Sequence, residues 1–252
     1  MMRRCTVYSQ DNLKVLKTFK SGLYNLIYID PPFNTGKKQS RGEKSYEDKF
    51  DDYVQFLIPR LNEGYRVLGR SGSMFVHLDY REVHYVKIEL DKIFGRKCFM
   101  NEIIWSYDYG ARSKSRWSAK HDNILWYVKN PKEYCFNYEE VDRIPYMAPG
   151  LVGPEKAARG KTLTDSWWNT IVSPTGKEKT GYPTQKPLKI LDRIVRVHSN
   201  CGEALLDFFA GSGSFGEAAL MNGRKVTLID QNWSAIEVIF ERLKEYNPRL
   251  ST

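Results

Sequence analysis

Asp30-Pro31-Pro32-Phe33 sets one carboxylate, two prolines and an aromatic ring in four successive positions, at the end of an apolar stretch over residues 25–29. Each proline fixes its own φ and biases the residue before it toward an extended backbone, so the Asp30 carboxylate and the Pro31 carbonyl become two acceptors held in place. Neither proline offers an N–H that would continue a strand or compete for the site. Phe33 adds a face on which a planar ring can stack, a contact worth about 1–3 kcal/mol. A fixed acid of this kind is suited to general-base work. Asp-Pro-Pro after a strand also reads as a plain turn with Phe33 in the core, and the rest of the chain must separate the two readings.

The second informative stretch is ALLDFFAGSGSFGEAAL, residues 204–220. A strand pattern runs into Gly211-Ser212-Gly213 and a helical one begins near Ser214, so glycines permit a tight turn and the N–H groups of the helix start face whatever docks there. Asp230 ends the next strand seventeen residues past Gly213, placed to accept hydrogen bonds from ribose hydroxyls. This is the pattern of a nucleoside-cofactor site. Gly211, Gly213 and Gly216 also satisfy GxGxxG, a weak signal by itself that admits a nicotinamide oxidoreductase. Such an enzyme needs a second half-sheet and a substrate domain beyond the fingerprint, yet only 36 residues follow Gly216. The reacting half is therefore expected upstream, at Asp30.

The elements that must position these residues alternate. Residues 25–29, 73–78, 103–107, 124–128, 204–209 and 225–229 read as strands rich in β-branched and aromatic residues. Residues 82–94 and 188–198 carry apolar side chains at helical spacing, and residues 53–68 form a further helix, opened by Asp51 and Asp52 and kinked or broken at Pro59. That alternation predicts a mostly parallel sheet with helices on both faces. Residues 34–52, 110–120 and 130–181 break the pattern. They are polar, rich in Gly, Pro, Lys and Arg, and read as loops or insertions on the scaffold, the third long enough for a small subdomain.

Composition restricts the partners. The 252 residues hold 39 Lys and Arg against 30 Asp and Glu, a net charge of +9, which points to a polyanion, nucleic acid before membrane. No apolar run reaches the roughly 18 residues of a spanning helix, and MMRRCTVYSQ has no apolar core of a signal peptide. A soluble, cytoplasmic protein is expected. Cys5, Cys98, Cys135 and Cys201 are widely spaced without a CxxC pair, so neither a disulfide framework nor a zinc site is indicated.

Taken together, Asp30-Pro31-Pro32-Phe33, then Thr184-Gln185-Lys186-Pro187, then Asp207-Phe208-Phe209-Ala210-Gly211-Ser212-Gly213 resemble the β-class amino-methyltransferases of DNA, whose catalytic motif precedes the cofactor motif. The likeness covers nearly the whole chain, including IPRLNEGYRVLGRSGSMFVHLD and HDNILWYVK, and is weakest over residues 130–181. It implies a doubly wound, Rossmann-like class I methyltransferase fold in circularly permuted motif order. Residues 1–129 would be the catalytic half, 130–181 a target-recognition insertion and 182–252 the cofactor-binding half. The cofactor implied is S-adenosylmethionine, with no metal, and the reaction is site-specific methylation of adenine N6 in duplex DNA. The residues fit that chemistry: adenine's amino lone pair is delocalised into the ring, and two acceptors, Asp30 and the Pro31 carbonyl, would hold its hydrogens and free it.

Cofactor contacts are carried by the resemblance onto Asp11, Thr184, Lys186, Asp207, Phe209, Ala210, Gly211, Ser212, Gly213 and Asp230. Thr184 is read as the helix N-cap and Lys186 as a partner for a carboxylate. Asp207, in an apolar strand, is expected to bond the glycine-loop amides, since an unpaired carboxylate there would be costly. Relatives often have His where this chain has Tyr182, and Gly where it has Gln10 before Asp11, whose alternative reading is a helix cap. Asp122 and His121 read as structural, and His77, His84 and His198 show no partner pattern. Lys37, Lys38, Arg41 and Lys44, with Arg112, Lys114, Arg116 and Lys120, are the candidate phosphate contacts, which would offset the few kcal/mol of extruding a base. Trp167, Trp168 and Asn169 are candidates for reading bases. Cytosine N4 is the rival target, for which relatives more often show Ser in place of Asp30. A catalytically inactive cofactor-binding module that docks on nucleic acid is the rival class. Some relatives work as dimers or beside a restriction endonuclease.

Overall fold

The structure, a computed structural model, describes residues 4–41, 44–173, 175–176 and 178–251. In chain order its elements are β1 (Cys5–Ser9), α1 (Asn12–Thr18), β2 (Tyr24–Ile29), β3 (Lys37–Arg41), β4 (Lys44–Asp48), α2 (Tyr53–Val67), β5 (Leu68–Leu78), α3 (Val83–Phe94), β6 (Phe99–Ser106) and β7 (His121–Val128). There follow β8 (Arg143–Ile144), α4 (Pro154–Arg159), β9 (Lys161–Thr162), β10 (Ser166–Trp168), α5 (Leu188–His198), β11 (Ala204–Asp207), α6 (Ser214–Met221), β12 (Lys225–Asp230), α7 (Trp233–Arg242) and β13 (Arg249–Ser251). Nine strands form one sheet in the order β10-β6-β7-β5-β2-β11-β12-β1-β13. Only β7 runs against its neighbours; the other pairings are parallel.

Burial follows the pleat. In β2, Leu26 and Tyr28 pack with α5, α6 and α7 residues such as Leu191, Phe215 and Ile239. Ile27 and Ile29 face the opposite layer, with Leu16 of α1, Leu57 and Leu61 of α2 and Leu90 of α3. A strand buried on both faces reads as a continuous apolar run, and YNLIYI is one.

The arrangement of the sheet decides where chemistry can occur. β2 and β11 are adjacent and parallel, with Leu206 opposite Ile27. From β11 the chain moves outward to β12, and from β2 it moves the other way to β5. The carboxyl ends of β2 and β11 therefore flank a point where strand order diverges, the usual ligand crevice of open α/β sheets. Asp30 follows β2, the glycine loop follows β11, Asp230 ends β12 and Asp11 follows β1. Four adjacent strands thus deliver these residues to one edge.

Several expectations are corrected. α2 runs unbroken through Pro59; the proline costs one backbone bond, and the packing of Leu57 and Leu61 holds the turn. Residues 34–52 contain the β3–β4 hairpin. Residues 130–181 are not wholly apart from the scaffold, because β10 pairs with β6 at the edge of the main sheet. Among the described residues no helix is long and apolar enough to cross a membrane.

Candidate functional site

A cavity of about 620 Å³ opens at the carboxyl edge of the central strands, lined by Asp11, Asp30, Pro32, Thr184, Lys186, Asp207, Phe209, Ala210, Gly211, Ser212 and Asp230 among others. The glycine loop is shaped by backbone bonds: Gly213 N donates to Ala210 O at 2.8 Å and Ala210 N to Ile229 O at 3.1 Å. Asp230 fixes it further, accepting from Gly211 N at 2.9 Å and Asn232 N at 2.8 Å. Enclosure raises the Asp230 pKa above the ordinary aspartate value despite those bonds. Gly213 has φ +73°, and a Cβ there would lie 3.0 Å from Ile239 Cγ1. Its role is to let the loop turn onto α7; it does not line the cavity. Gly211, φ +49°, lets the backbone approach the Tyr182 ring, 3.4 Å from where a Cβ would sit. The buried Tyr182 thus packs against the loop from the Thr184 side.

Asp11 caps α1, accepting from Lys14 N at 3.0 Å, and also pairs with Arg60 at 2.8 Å on the cavity wall. The helix-cap reading holds, and the same side chain lines the cavity. Arg60 further bonds Asn12, which reaches the Phe208 carbonyl at 2.6 Å, so α2 and α1 buttress the strand leading into the glycine loop.

The Lys186 ammonium lies 2.6 Å from Asp30 Oδ2, although 156 residues separate them. A second cavity of about 390 Å³ lies on the other side, lined by Phe33, Asp79, Arg81, Trp105, Tyr107, Tyr109, His121 and Asp122. Thr184, Gln185 and Lys186 line both cavities. The Asp30–Lys186 pair therefore stands where the first cavity and an aromatic-walled pocket meet.

Two supports were not legible in the sequence. Asp48, nearly fully buried, accepts from Asn34 N at 2.8 Å and from Thr35 N at 3.2 Å and Oγ1 at 2.5 Å, clamping the turn that follows Phe33. Beneath the pocket a buried chain runs from Tyr28 Oη to His77 Nδ1 (2.7 Å), His77 Nε2 to Asp122 Oδ2 (3.2 Å) and Tyr107 Oη to Asp122 Oδ1 (3.1 Å). Burial opposes the Asp122 charge, but the His77, Lys186 and Tyr107 interactions outweigh it and hold its pKa below the ordinary value. His77 thus has partners after all, and Asp122 is structural in the sense of holding Tyr107 at the pocket wall.

Other assignments change. Thr184 is not the cap of α5: the helix starts at Leu188, whose N–H is taken by Glu178 Oε1 at 2.6 Å, and Thr184 has φ +56° in the turn between the cavities. Asp207 bonds Phe209 N at 2.9 Å; the glycine amide goes to Asp230. Lys120 is turned inward onto the Tyr109 and Ala111 carbonyls, which removes it from the phosphate set. Trp167 is a core residue under Arg193, and Asn169 holds Trp105 and Ser106 by its backbone. Of that trio Trp168 is the most exposed, at 71%, and Asn169 is partly exposed. Lys37, Lys38, Arg112, Lys114 and Arg116 are exposed, Arg112 pairing with Asp108 at 2.5 Å. Trp117, 99% exposed, stands beside Arg116 in the loop whose base, Tyr109 and Ala119, lines the second cavity. The side chains of Arg41 and Lys44 lie outside the described residues.

Burial, then the charges of Asp30 and Asp230, push the Asp207 carboxyl well above the ordinary range. An acid whose folded pKa is raised stabilises the fold fully below its unfolded value, about 3.9, and loses that contribution as pH rises through the folded pKa. Asp207→Asn keeps the acceptor for Phe209 N and cannot ionise. Its melting temperature is expected to exceed that of the wild type at pH 8 by several degrees, at about 2–4 °C per kcal/mol, with the gap closing toward pH 4. Thermal melts across pH 4–8 check this; a constant gap would contradict it.

Comparison with known proteins agrees with this geometry. A family model described as DNA methylase matches residues 24–241. The Type II methyltransferase M.HpaI of Haemophilus parainfluenzae is 31% identical over 236 residues, covering 93% of this chain and 73% of that protein. The DNA adenine methyltransferase YhdJ of Escherichia coli (strain K12) is 29% identical over 251 residues, covering 94% and 82%. Among solved structures, the M1.HpyAVI–SAM complex aligns with a TM-score of 0.67 at 22% identity, over 94% of this chain and 98% of that one, a likeness of fold.

Proposed function

The chain belongs to the DNA methylase family whose model spans residues 24–241, and from that membership we propose a site-specific adenine-N6 methyltransferase that uses S-adenosylmethionine and acts on an adenine turned out of duplex DNA. The observation that carries the reading is the Asp30–Lys186 pair at the junction of the two cavities. The first cavity has what a nucleoside cofactor needs: a carboxylate at Asp230 for ribose hydroxyls, Gly211 backbone on its wall, and the Phe209 ring beside it. The second has flat aromatic walls at Phe33, Trp105 and Tyr107 for an extruded base.

S-adenosylmethionine, when bound, supplies a methyl carbon already activated by its sulfonium. Asp30 and the Pro31 carbonyl hold the two amino hydrogens and draw the nitrogen toward a tetrahedral shape. With the cofactor held beside the glycine loop, the amino nitrogen would take the methyl carbon as the C–S bond electrons remain on sulfur, and Asp30 would receive the surplus proton. Stacking on Phe33 keeps the ring in register, and with a preformed electrophile positioning supplies much of the remaining rate. The name of the adenine methyltransferase relative supports adenine over cytosine, and the Type II relative supports a place beside a restriction endonuclease. Methylating mixed-sequence DNA with labelled cofactor and identifying the modified nucleoside tests the reading: N6-methyladenine is expected, and N4-methylcytosine or no label would overturn it.

Duplex contacts are assigned to the β3–β4 hairpin and the loop carrying Arg112, Lys114 and Arg116, with base reading assigned to residues 130–181 and the exposed Trp168. Each phosphate neutralised contributes about −0.9 to the slope of log K against log salt. Lys37→Ala with Lys38→Ala is expected to flatten that slope by about 1.8, measured by fluorescence anisotropy across a salt series. An unchanged slope would put the duplex on another face.

A further inference from the structure

Asp30 is a divided carboxylate. Oδ2 receives the Lys186 ammonium at 2.6 Å, whereas Oδ1 is buried with no hydrogen-bond partner among the described residues. Buried polar atoms are rarely left in this way, and one on a residue that lines the first cavity calls for a functional account. Lys186 is itself only 7% exposed. Its Nζ has a second, longer contact with the Thr184 carbonyl at 3.4 Å and lies 4.7 Å from the Phe33 ring centroid, where a cation is attracted to the aromatic face. One ammonium therefore touches both side chains of the Asp-Pro-Pro-Phe motif that the reaction needs.

We infer that Lys186 is a positioning residue for the methyl transfer: it clamps Oδ2 of Asp30 and steadies Phe33, so that Oδ1 is left as the acceptor for a hydrogen of the target amino group. This rests on the methyltransferase reading and departs from the role implied by the sequence resemblance, in which Lys186 contacts the amino-acid end of the cofactor. A carboxylate free to rotate about its Cβ–Cγ bond presents either oxygen in many orientations. Tying one oxygen to a buried cation removes that freedom and compensates the charge where water is scarce. The clamp does not defeat proton acceptance, because an amino nitrogen that has given its lone pair to a methyl group is strongly acidic and needs only a well-placed base. The distance between the partners in sequence also has a consequence: the motif before the glycine loop locks onto the motif after β2, so the two halves of the chain assemble the catalytic acid jointly.

The test measures cofactor affinity and single-turnover methylation at saturating cofactor for wild type, Lys186→Gln and Lys186→Arg. Lys186→Gln is expected to lose about 10- to 100-fold in rate, the scale of an ångström-level misplacement, while S-adenosylmethionine Kd stays within about threefold. Lys186→Arg, which keeps the cation, is expected to recover most of the rate. A Gln variant with weakened cofactor binding and an unchanged saturated rate would overturn the inference and make Lys186 a cofactor ligand. Absence of methylation by the wild type would instead overturn the underlying functional reading. If Lys186→Gln loses its fold, adding Asp30→Asn removes both charges and is expected to restore the melting temperature. Failure to restore it would refute the pairing.

Discussion

Asp30→Ala is expected to lower the single-turnover rate of DNA methylation by about 10²- to 10⁴-fold, the contribution typical of a positioned acid or base, with cofactor affinity nearly unchanged. The two effects separate because the cofactor loop is held by Asp230 bonds to Gly211 and Asn232, none of which involves Asp30. Truncation also leaves the Lys186 ammonium buried and unpaired, which costs about 3–5 kcal/mol when a buried pair is broken. Asp30→Asn guards against confusing instability with lost chemistry: its amide oxygen can still accept from Lys186, so it should lose less stability than the alanine variant although the ammonium's charge is no longer compensated. Its remaining group toward the substrate is then an NH₂ donor facing an amino group, which is the wrong polarity, and the rate should fall nearly as far as in the alanine variant. Rapid-quench assays with labelled cofactor, together with calorimetric titration of the cofactor, check both halves. A folded Asp30→Asn protein that methylates at the wild-type rate would remove the mechanism.

The sequence carried the central scaffold because the strands that flank the crevice are buried on both faces and read as apolar runs; β2, β11 and β12 fall within two residues of the expected bounds. It also carried the order of the motifs, since prolines and glycines impose local backbone constraints that need no tertiary context. What it could not carry were contacts made by ordinary residue types across long separations. His77 looks like any polar residue in a strand until β5 and β7 pair and put Asp122 beside it. Asp48 resembles a surface acid of a charged hairpin, yet the fold closes the Asn34–Thr35 amides around it. Lys120 was misjudged for the same reason: a charge in a polar loop predicts exposure, and the fold instead turns the lysine onto carbonyls. β10 escaped notice because three residues at a sheet edge leave no periodicity to detect. The Lys186–Asp30 pair lies between these cases, since a carboxylate partner for Lys186 was expected and its identity was not.

Asp230→Ala is expected to weaken S-adenosylmethionine binding by about 10- to 100-fold while leaving DNA affinity in the absence of cofactor unchanged. One Asp230 oxygen accepts from Gly211 N on the glycine loop and the other from Asn232 N at the start of α7. Removing the carboxylate strands both donors, at about 1–3 kcal/mol apiece where water cannot reach them, and Gly211 at φ +49° has little else to keep it turned toward the cavity. A loop that relaxes must be reordered by the cofactor on binding, and the ribose loses a charged acceptor worth about 1.5–3 kcal/mol; tenfold per 1.4 kcal/mol gives the stated range. Asp230→Asn separates loop support from ribose recognition, because one amide oxygen can satisfy only one of the two amides and turns an NH₂ toward the other. It should therefore bind nearly as weakly as the alanine variant, although its volume is unchanged. Calorimetric titration of all three proteins decides the matter: equal cofactor Kd values for wild type and Asp230→Asn would show that the β12 carboxylate neither shapes the glycine loop nor meets the nucleoside.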